Sequence, residues 1–457
     1  MPNPMFSLDE RLTDLIFDYC RARLAMDPVP LDFGGVREPL ESVLAGLMTP
    51  GGNDAAAVLQ LFTEELATAV VSCDSPRFLS FIPAAPTKAA LLFDMVVSCS
   101  SIQGTSWLEA AGAIAAENQA LRVLTDLAGL PPGAGGVFVS GGSMGNLSAL
   151  AVARDTAAAR SGSRRSWPPR VAVSDETHAS VLSALRLLGA VPLDVPTRDH
   201  RLTGEALRAA LDGDPDAGDV VAVVATAGTT NAGVVDDLAG LAGVAAERDL
   251  WFHVDAAYGG AALLAPSVRD RFAGIERADS FIVDPHKWLF APFDCAALLY
   301  REPELARAVH TQQASYLDVV HEEHAFNPSD YAFHLTRRAR GLPLWFSLAV
   351  NGTDHYRDAV EAALAIARQT AELVRTLPHL ELVRDPELSI VLFRRLGWAW
   401  PDYQAWSRRL LDDQIGFVTP TMWEGEPAVR LAFLHPETTV EMVEEILATL
   451  EAAPTGS

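Results

Sequence analysis

Lys287, in the segment SFIVDPHKWLF, lies just past a short apolar run and is followed at once by Trp288 and Leu289. Taken alone it reads as a lysine whose stem lies along apolar surface while its ammonium reaches water. The chemical reading is different. Partial desolvation lowers the pKa of an amine, and the free amine is the form that attacks an aldehyde to give a Schiff base. His286 beside it would exchange protons or touch a bound substrate. Asp255, in WFHVDAAYGG, closes another apolar run. An Asp there commonly caps or turns the chain. Here Ala256 and Ala257 follow it, small enough for a flat ring to approach the backbone, and a carboxylate facing a ring nitrogen keeps that nitrogen protonated.

Three further segments add to this. In GGVFVSGGSMGNLSAL, glycines between an expected strand and an expected helix offer backbone N–H groups and a helix dipole to an anion. Ser140 and Ser143 can add hydroxyl hydrogen bonds. The spacing is neither GxGxxG nor GxxxxGK[ST], so neither nucleotide fingerprint is present. His178, in VAVSDETHASV, is either a structural hydrogen-bonding group or an imidazole lying flat on a ring. Thr226, in VVATAGTTNAG, brings a hydroxyl within reach of a ring substituent. Each is weak alone. Together they supply an anion cradle, a stacking group, a ring-nitrogen carboxylate and an aldehyde-capturing amine.

The elements that must position these groups are legible too. GGVFVS, RVAVSD, DVVAVVATAG, LWFHVDAAY, SFIVDP and CAALLYR are near-continuous apolar runs, as expected of strands covered on both faces. Separated by helical stretches, they predict an α/β fold with a mostly parallel central sheet. Ligands of such sheets bind beyond the carboxyl ends of the strands, where the distinctive residues fall. Residues 1–75 read as an amphipathic helical segment that packs on the main domain or a partner. Residues 76–345 read as the large α/β domain and 346–457 as a small C-terminal α/β domain. In the latter a helix is expected near 354–375, strands near ELSIVLFRR and AVRLAFLH, and a last helix capped by Thr438 or Thr439. The basic stretch 160–170 reads as a connecting loop.

With 457 residues, 49% of them apolar, the chain has material for more than one structural unit. Its net charge of -24 argues against nucleic acid or an anionic membrane surface as partner. The four cysteines, Cys20, Cys73, Cys99 and Cys295, form no CxxC pair and no zinc spacing. That usage fits a reducing cytoplasm and no metal. The start shows no signal peptide, and the longest apolar stretch, AALLFDMVVSCSSI, carries Asp94 and is too short to span a bilayer.

On SGGSMGN, SDETHAS, ATAGTT, HVDAAYGG, DPHKW and FDCAALL, the chain resembles the group II pyridoxal-phosphate (PLP)-dependent decarboxylases of fold type I, which include the aromatic-L-amino-acid, histidine and glutamate decarboxylases. Weaker likeness extends over roughly residues 70–445. The resemblance implies Lys287 as the Schiff-base lysine, Asp255 at the pyridine nitrogen with Ala257 beside the ring, and His178 on the ring face. It also implies Gly142 and Ser143 at the phosphate, Thr226 near the ring hydroxyl, and His286 beside cofactor and substrate. A mobile loop in the family carries a tyrosine that protonates the substrate carbon. Tyr331, in the segment SYLDVVHEEHAFNPSDYAFHLTRRARG, is the match taken here. The resemblance also places the side-chain pocket on Phe81, Ile82 and Pro83, with Trp107 contributing across a dimer interface.

Two positions depart from the family. Met144-Gly145 stands where many relatives have Glu-Ala. Asp284 stands where animal relatives have Asn near the phosphate, and an acid there is unfavourable unless protonated or turned aside. The implied function is decarboxylation of an L-amino acid, aromatic or apolar, to its amine by a cytoplasmic homodimer. The alternatives are an aldehyde-forming oxidative deaminase, a decarboxylase of glutamate or another acidic amino acid, a PLP lyase or transaminase gripping a carboxylate with Arg430, and a relative that has lost catalysis.

Overall fold

The computed structural model describes residues 4–33, 40–161, 168–315 and 326–451. The larger sheet is built from β1 (Gly135–Val139), β2 (Arg170–Ser174), β3 (Val191–Val195), β4 (Val220–Thr226), β5 (Trp251–Asp255), β6 (Ser280–Val283) and β7 (Ala296–Tyr300), in the order β1-β7-β6-β5-β4-β2-β3. Strands β3, β2, β4, β5 and β6 run parallel, and β7 runs antiparallel to both β1 and β6. Every residue of β4, β5, β6 and β7 is buried. That is why their sequences are unbroken apolar runs: with helices on both faces there is no wet side to make polar. The expected α/β class with a mostly parallel sheet is what the chain adopts.

Strand β3 was not legible. Its sequence VPLDV includes Pro192 and Asp194, and its side chains alternate between exposed and buried. It is an edge strand, where a missing N–H and a charged side chain are both tolerated. The glycine-rich turn also differs from expectation. The helix begins at Gly142 itself and runs to Ser161, so SMGN forms its first turns. This carries Asn146 down onto the sheet.

Register does the positioning. Thr226 pairs with Asp255, and Asp255 with Ile282, so the three stand in a row at the carboxyl edge. Helix Gly142–Ser161 crosses that face, packing against β4, β5, β6 and β7.

The second sheet holds β8 (Leu380–Leu382), β9 (Ile390–Arg395), β10 (Thr421–Trp423) and β11 (Glu426–Ala432), antiparallel in the order β10-β11-β9-β8. Helix Leu342–Thr376 leads to it, longer than the expected 354–375 and broken at Gly352, whose φ is 74°. The last helix, Val440–Ala448, is capped by Thr439, whose side chain accepts from Met442 N. Segment 77–80 leaves the first unit to pair with the second: Leu79 N donates to Phe417 O, and Ala432 N to Leu79 O. At the N-terminus, helices Glu10–Leu24, Leu40–Leu44 and Ala55–Leu61 bury no residue completely. Among the described residues no helix is long and apolar enough to cross a membrane.

The packing of helix on sheet explains Gly145. A Cβ built there would overlap Ile282 Cδ1 and lie 3.0 Å from Cγ1. Close packing leaves that methyl no room. Gly145→Ala should therefore destabilise the protein by about 1–3 kcal/mol through overpacking. Ile282→Val in the same chain should recover most of the loss. Denaturant unfolding of the two single variants and the double decides this; a double variant less stable than Gly145→Ala would refute the steric account.

Candidate active site

A cavity of about 310 Å³ opens at the carboxyl edge of β4, β5 and β6. Gly142, Ser143, His178, Thr226, Asp255, Ala257, Asp284, His286 and Lys287 all line it. The structure thus gathers the whole expected cofactor set from five segments separated in sequence. A larger cavity of about 790 Å³, walled by residues such as Met26, Lys88, His355 and His435, contains none of them.

Lys287 sits on a single helical turn, Pro285–Trp288, that follows β6 directly. The fully buried Trp288 anchors that turn, stacked on Tyr258 at 5.3 Å. Lys287 Nζ lies 3.0 Å from Asp284 Oδ2, which also accepts from Gly142 N at 3.3 Å. Asp284 therefore meets the N-terminus of helix Gly142–Ser161, a position that favours negative charge. Its other oxygen, Oδ1, is buried with no hydrogen-bond partner. His286 Nδ1 accepts from Cys295 N at 3.0 Å, which leaves its proton on Nε2, 3.7 Å from Asp284 Oδ2. Burial lowers the pKa of this imidazole below its ordinary value.

Asp255 is 5% exposed and both its oxygens are satisfied. Oδ1 accepts from Ala257 N at 3.1 Å, and Oδ2 from Asn146 Nδ2 at 2.9 Å. His178 is the N-cap of helix Ala179–Leu188, with Nδ1 accepting from Ser180 N at 3.2 Å. Thr226 N donates to the buried Asp236 at 2.7 Å, while Thr226 Oγ1 is buried and partnerless. Burial pushes the Asp236 carboxyl up to about 7.

These features fit PLP. The helix N-terminus and Ser143 suit a phosphate, Asp255 suits a ring nitrogen, the unpaired Thr226 hydroxyl suits a ring substituent, and Lys287 suits an aldehyde.

Several expected residues stand elsewhere. Tyr331 is at the opposite end of β1 from the cavity, beside Gly135, Pro303 and Glu304. It stacks on Phe326 at 4.4 Å, its carbonyl accepts from Tyr300 Oη, and burial pushes its phenol up to about 12. It does not join the Lys287 group within this chain. The connection is long, and sequence adjacency gave no measure of where it re-enters the fold. The other tyrosine of that segment, Tyr316, lies outside the described residues. Ile82 is buried, Pro83 is half-buried, and Trp107 opens helix Trp107–Ala128 with its N–H on Asn327 Oδ1; none of the three lines the cavity.

Phe81 comes nearer. It is exposed, with φ 51°, and clusters with Phe78 and Phe417. Arg430 Nη1 donates to Phe81 O at 3.1 Å, while Nε and Nη2 donate to the carbonyl of Thr230, which lines the cavity. This guanidinium ties backbone to backbone across the two sheets.

Reading the sequence missed Asn146, His253, Glu176 and His200. Glu176 lines the cavity and contacts His200 Nδ1 at 2.6 Å; His200 Nε2 contacts Glu424 at 3.1 Å. His253 is fully buried and bonds Asn146 and Ser280. Asn146 and His253 stand inside motifs already singled out, but no spacing rule pairs them.

Burial lowers the His253 pKa from 6.5 to about 4. The folded protein then refuses a proton that the unfolded chain accepts. Stability is fully present above about 6.5 and falls as pH drops toward 4, by about 3 kcal/mol across that window. His253→Gln should flatten that part of the profile. Urea unfolding at pH 4.5 and 7.5 tests this, and an unchanged pH slope in the variant would sink it.

Comparison with known proteins agrees with this geometry. The model of the pyridoxal-dependent decarboxylase conserved domain matches residues 45–396. The chain is 30% identical over 462 residues to the aromatic-L-amino-acid decarboxylase of Bacillus atrophaeus, covering 98% of this chain and 95% of that one. It is 32% identical over 430 residues to the L-2,4-diaminobutyrate decarboxylase of Rhizobium meliloti (strain 1021), covering 91% and 85%. The crystal structure of Oryza sativa TDC with PLP and tryptamine superimposes with a TM-score of 0.89 over 99% of each chain, at 26% identity. With PLP as its cofactor, this chain belongs to the pyridoxal-dependent decarboxylase family.

Proposed function

We propose that the chain decarboxylates an aromatic or other apolar L-amino acid to the corresponding amine, with Lys287 as the residue that holds the cofactor. The observation that carries this is the convergence of the Lys287 amine, the Asp255 carboxylate, the His178 imidazole and the N-terminus of helix Gly142–Ser161 on one cavity of about 310 Å³. PLP supplies there a protonated ring into which the electron pair left by departing CO2 delocalises.

The chain's own residues do the rest. The N-terminus of helix Gly142–Ser161 with Ser143 would hold the phosphate, and the Thr226 hydroxyl would meet the ring hydroxyl. Asp255, fixed at both oxygens, holds the proton on the ring nitrogen. Small Ala257 would leave room beside the ring, and His178 would cover its face. Asp284 pairs with Lys287 and orients its amine. His286 carries a proton on Nε2 next to that pair, the position of a group that moves protons near Lys287. Tyr331 is not assigned the protonation step, because it stands at the other end of β1.

The aromatic or apolar preference is supported by Phe81 beside Phe78 and Phe417, tethered through Arg430 to the Thr230 wall. The same tether weighs against glutamate and against a transaminase, since the Arg430 donors already serve backbone carbonyls. A homodimer is supported by the exposed apolar residues Leu12, Ile16, Phe17 and Phe62 of the N-terminal segment. Elution of a stable, active monomer would count against it.

Holoenzyme incubated with tryptophan, tyrosine, phenylalanine, 2,4-diaminobutyrate and glutamate, with CO2, amine, aldehyde and peroxide read together, should give equal CO2 and amine from an aromatic substrate. Aldehyde with peroxide would replace the amine product by the oxidative one, and a preference for glutamate or diaminobutyrate would overturn the substrate class. Lys287→Ala should lose about a thousandfold or more in turnover together with the visible absorbance of bound cofactor; near-normal CO2 release by that variant would end the assignment.

A further inference from the structure

Behind the cavity runs a hydrogen-bond chain whose direction is set at its Asp255 end, where a carboxylate can only accept. Trp251 Nε1 donates to Ser280 Oγ at 2.8 Å, and an indole N–H can only donate. The Asp255 carboxylate can only accept, so Asn146 Nδ2 faces it and Asn146 Oδ1 faces His253 Nε2; the neutral imidazole then takes its Nδ1 hydrogen bond from the Ser280 hydroxyl, at 2.8 Å. With Nδ1 accepting, the neutral imidazole carries its proton on Nε2 and gives it to Asn146 Oδ1 at 2.9 Å. The amide is thereby braced. Its two Nδ2 hydrogens go to Asp255 Oδ2 at 2.9 Å and Ser180 Oγ at 3.0 Å. Ser180 Oγ then has its hydrogen free for His178 Nδ1 at 2.8 Å. Trp251, Ser280, His253 and Asn146 are all buried, so no water competes for these partners.

We infer that Asn146 is a positioning residue that sets Asp255 and His178 together, and that Trp251, Ser280 and His253 act through it by bracing its amide in the orientation the Asp255 carboxylate requires. The inference rests on the reading that Asp255 meets the cofactor's ring nitrogen. Reversing the amide would turn Oδ1 toward the carboxylate, acceptor against acceptor. It would also take the donor from Ser180, drawing away the hydroxyl that shares His178 Nδ1 with the Ser180 N–H. One side chain therefore meets the group at the ring edge directly and the group on the ring face through Ser180, and a serine that lines no part of the cavity braces that side chain.

The test uses holoenzyme variants and reads the pH titration of the bound cofactor's visible band, the dissociation constant of PLP, and kcat against KM. Asp255→Asn is measured first and should change band and affinity. Asn146→Ala should shift the midpoint of the band and weaken PLP binding about tenfold, with kcat falling more than KM rises. Ser280→Ala should shift both in the same direction by less. The double variant Asn146→Ala/Ser280→Ala should be no worse than Asn146→Ala, because the relay is already cut. Additive losses, or wild-type band and affinity in Asn146→Ala while Asp255→Asn changes them, would overturn the relay and leave the Asp255 reading standing. No effect in Asp255→Asn would bring down both. If Asn146→Ala does not fold, Ser280→Ala decides alone, and a wild-type spectrum and PLP affinity there reject the inference.

Discussion

A carboxylate at the end of a strand sealed on both faces must be fully partnered, or its desolvation is prohibitive. Asp255 is that carboxylate, and the surrounding architecture can be read as its solution. One oxygen takes the N–H of Ala257, which bends away from the strand. The other takes an amide from a helix that approaches closely only because position 145 lacks a side chain. The same helix begins at Gly142, beside Asp284 and the lysine. The demand for a satisfied anion thus fixes the helix on the sheet, and the helix in turn places the anion cradle and the amine.

The charge balance of the cavity is uneven. Glu176, Asp255 and Asp284 line it, against Lys287 as its one lysine or arginine among the described residues. Asp284 is bound to the lysine and the helix N-terminus but keeps one buried oxygen unpaired. Glu176 is engaged by His200, which in turn meets Glu424 of the second sheet and lies 4.0 Å from the Trp423 ring. Burial and ion pairing act in opposite senses on that imidazole, and the net effect is a raised pKa. The polar wall of the cavity is in this way continuous with the small sheet.

Arg430 performs the corresponding task on the apolar side. Buried, with its donors on two backbone carbonyls, it holds the Phe81 turn against the Thr230 loop. Segment 77–80 completes that junction by pairing with residues 417 and 432. The Thr230 wall of the cavity is therefore tied through Arg430 to a segment about 350 residues away from that arginine in sequence.

The sequence by itself determined the sheet and the groups at its edge. Strands β4, β5, β6 and β7 were legible because double burial removes every polar position. Lys287, Asp255 and His178 were legible because each follows such a run, and a parallel sheet brings all carboxyl ends to one place. Edge strand β3 was hidden by Pro192 and Asp194, whose tolerance depends on having a neighbour on one side only. Only the tertiary structure decided the rest. Asn146 became a partner of both Asp255 and His253 through helix–sheet contact, Arg430 became a backbone clamp, and Tyr331 was carried to the far end of β1. Local pattern encodes burial and chain direction, since both act on consecutive residues. Contacts between distant side chains depend on packing geometry that no interval along the chain measures.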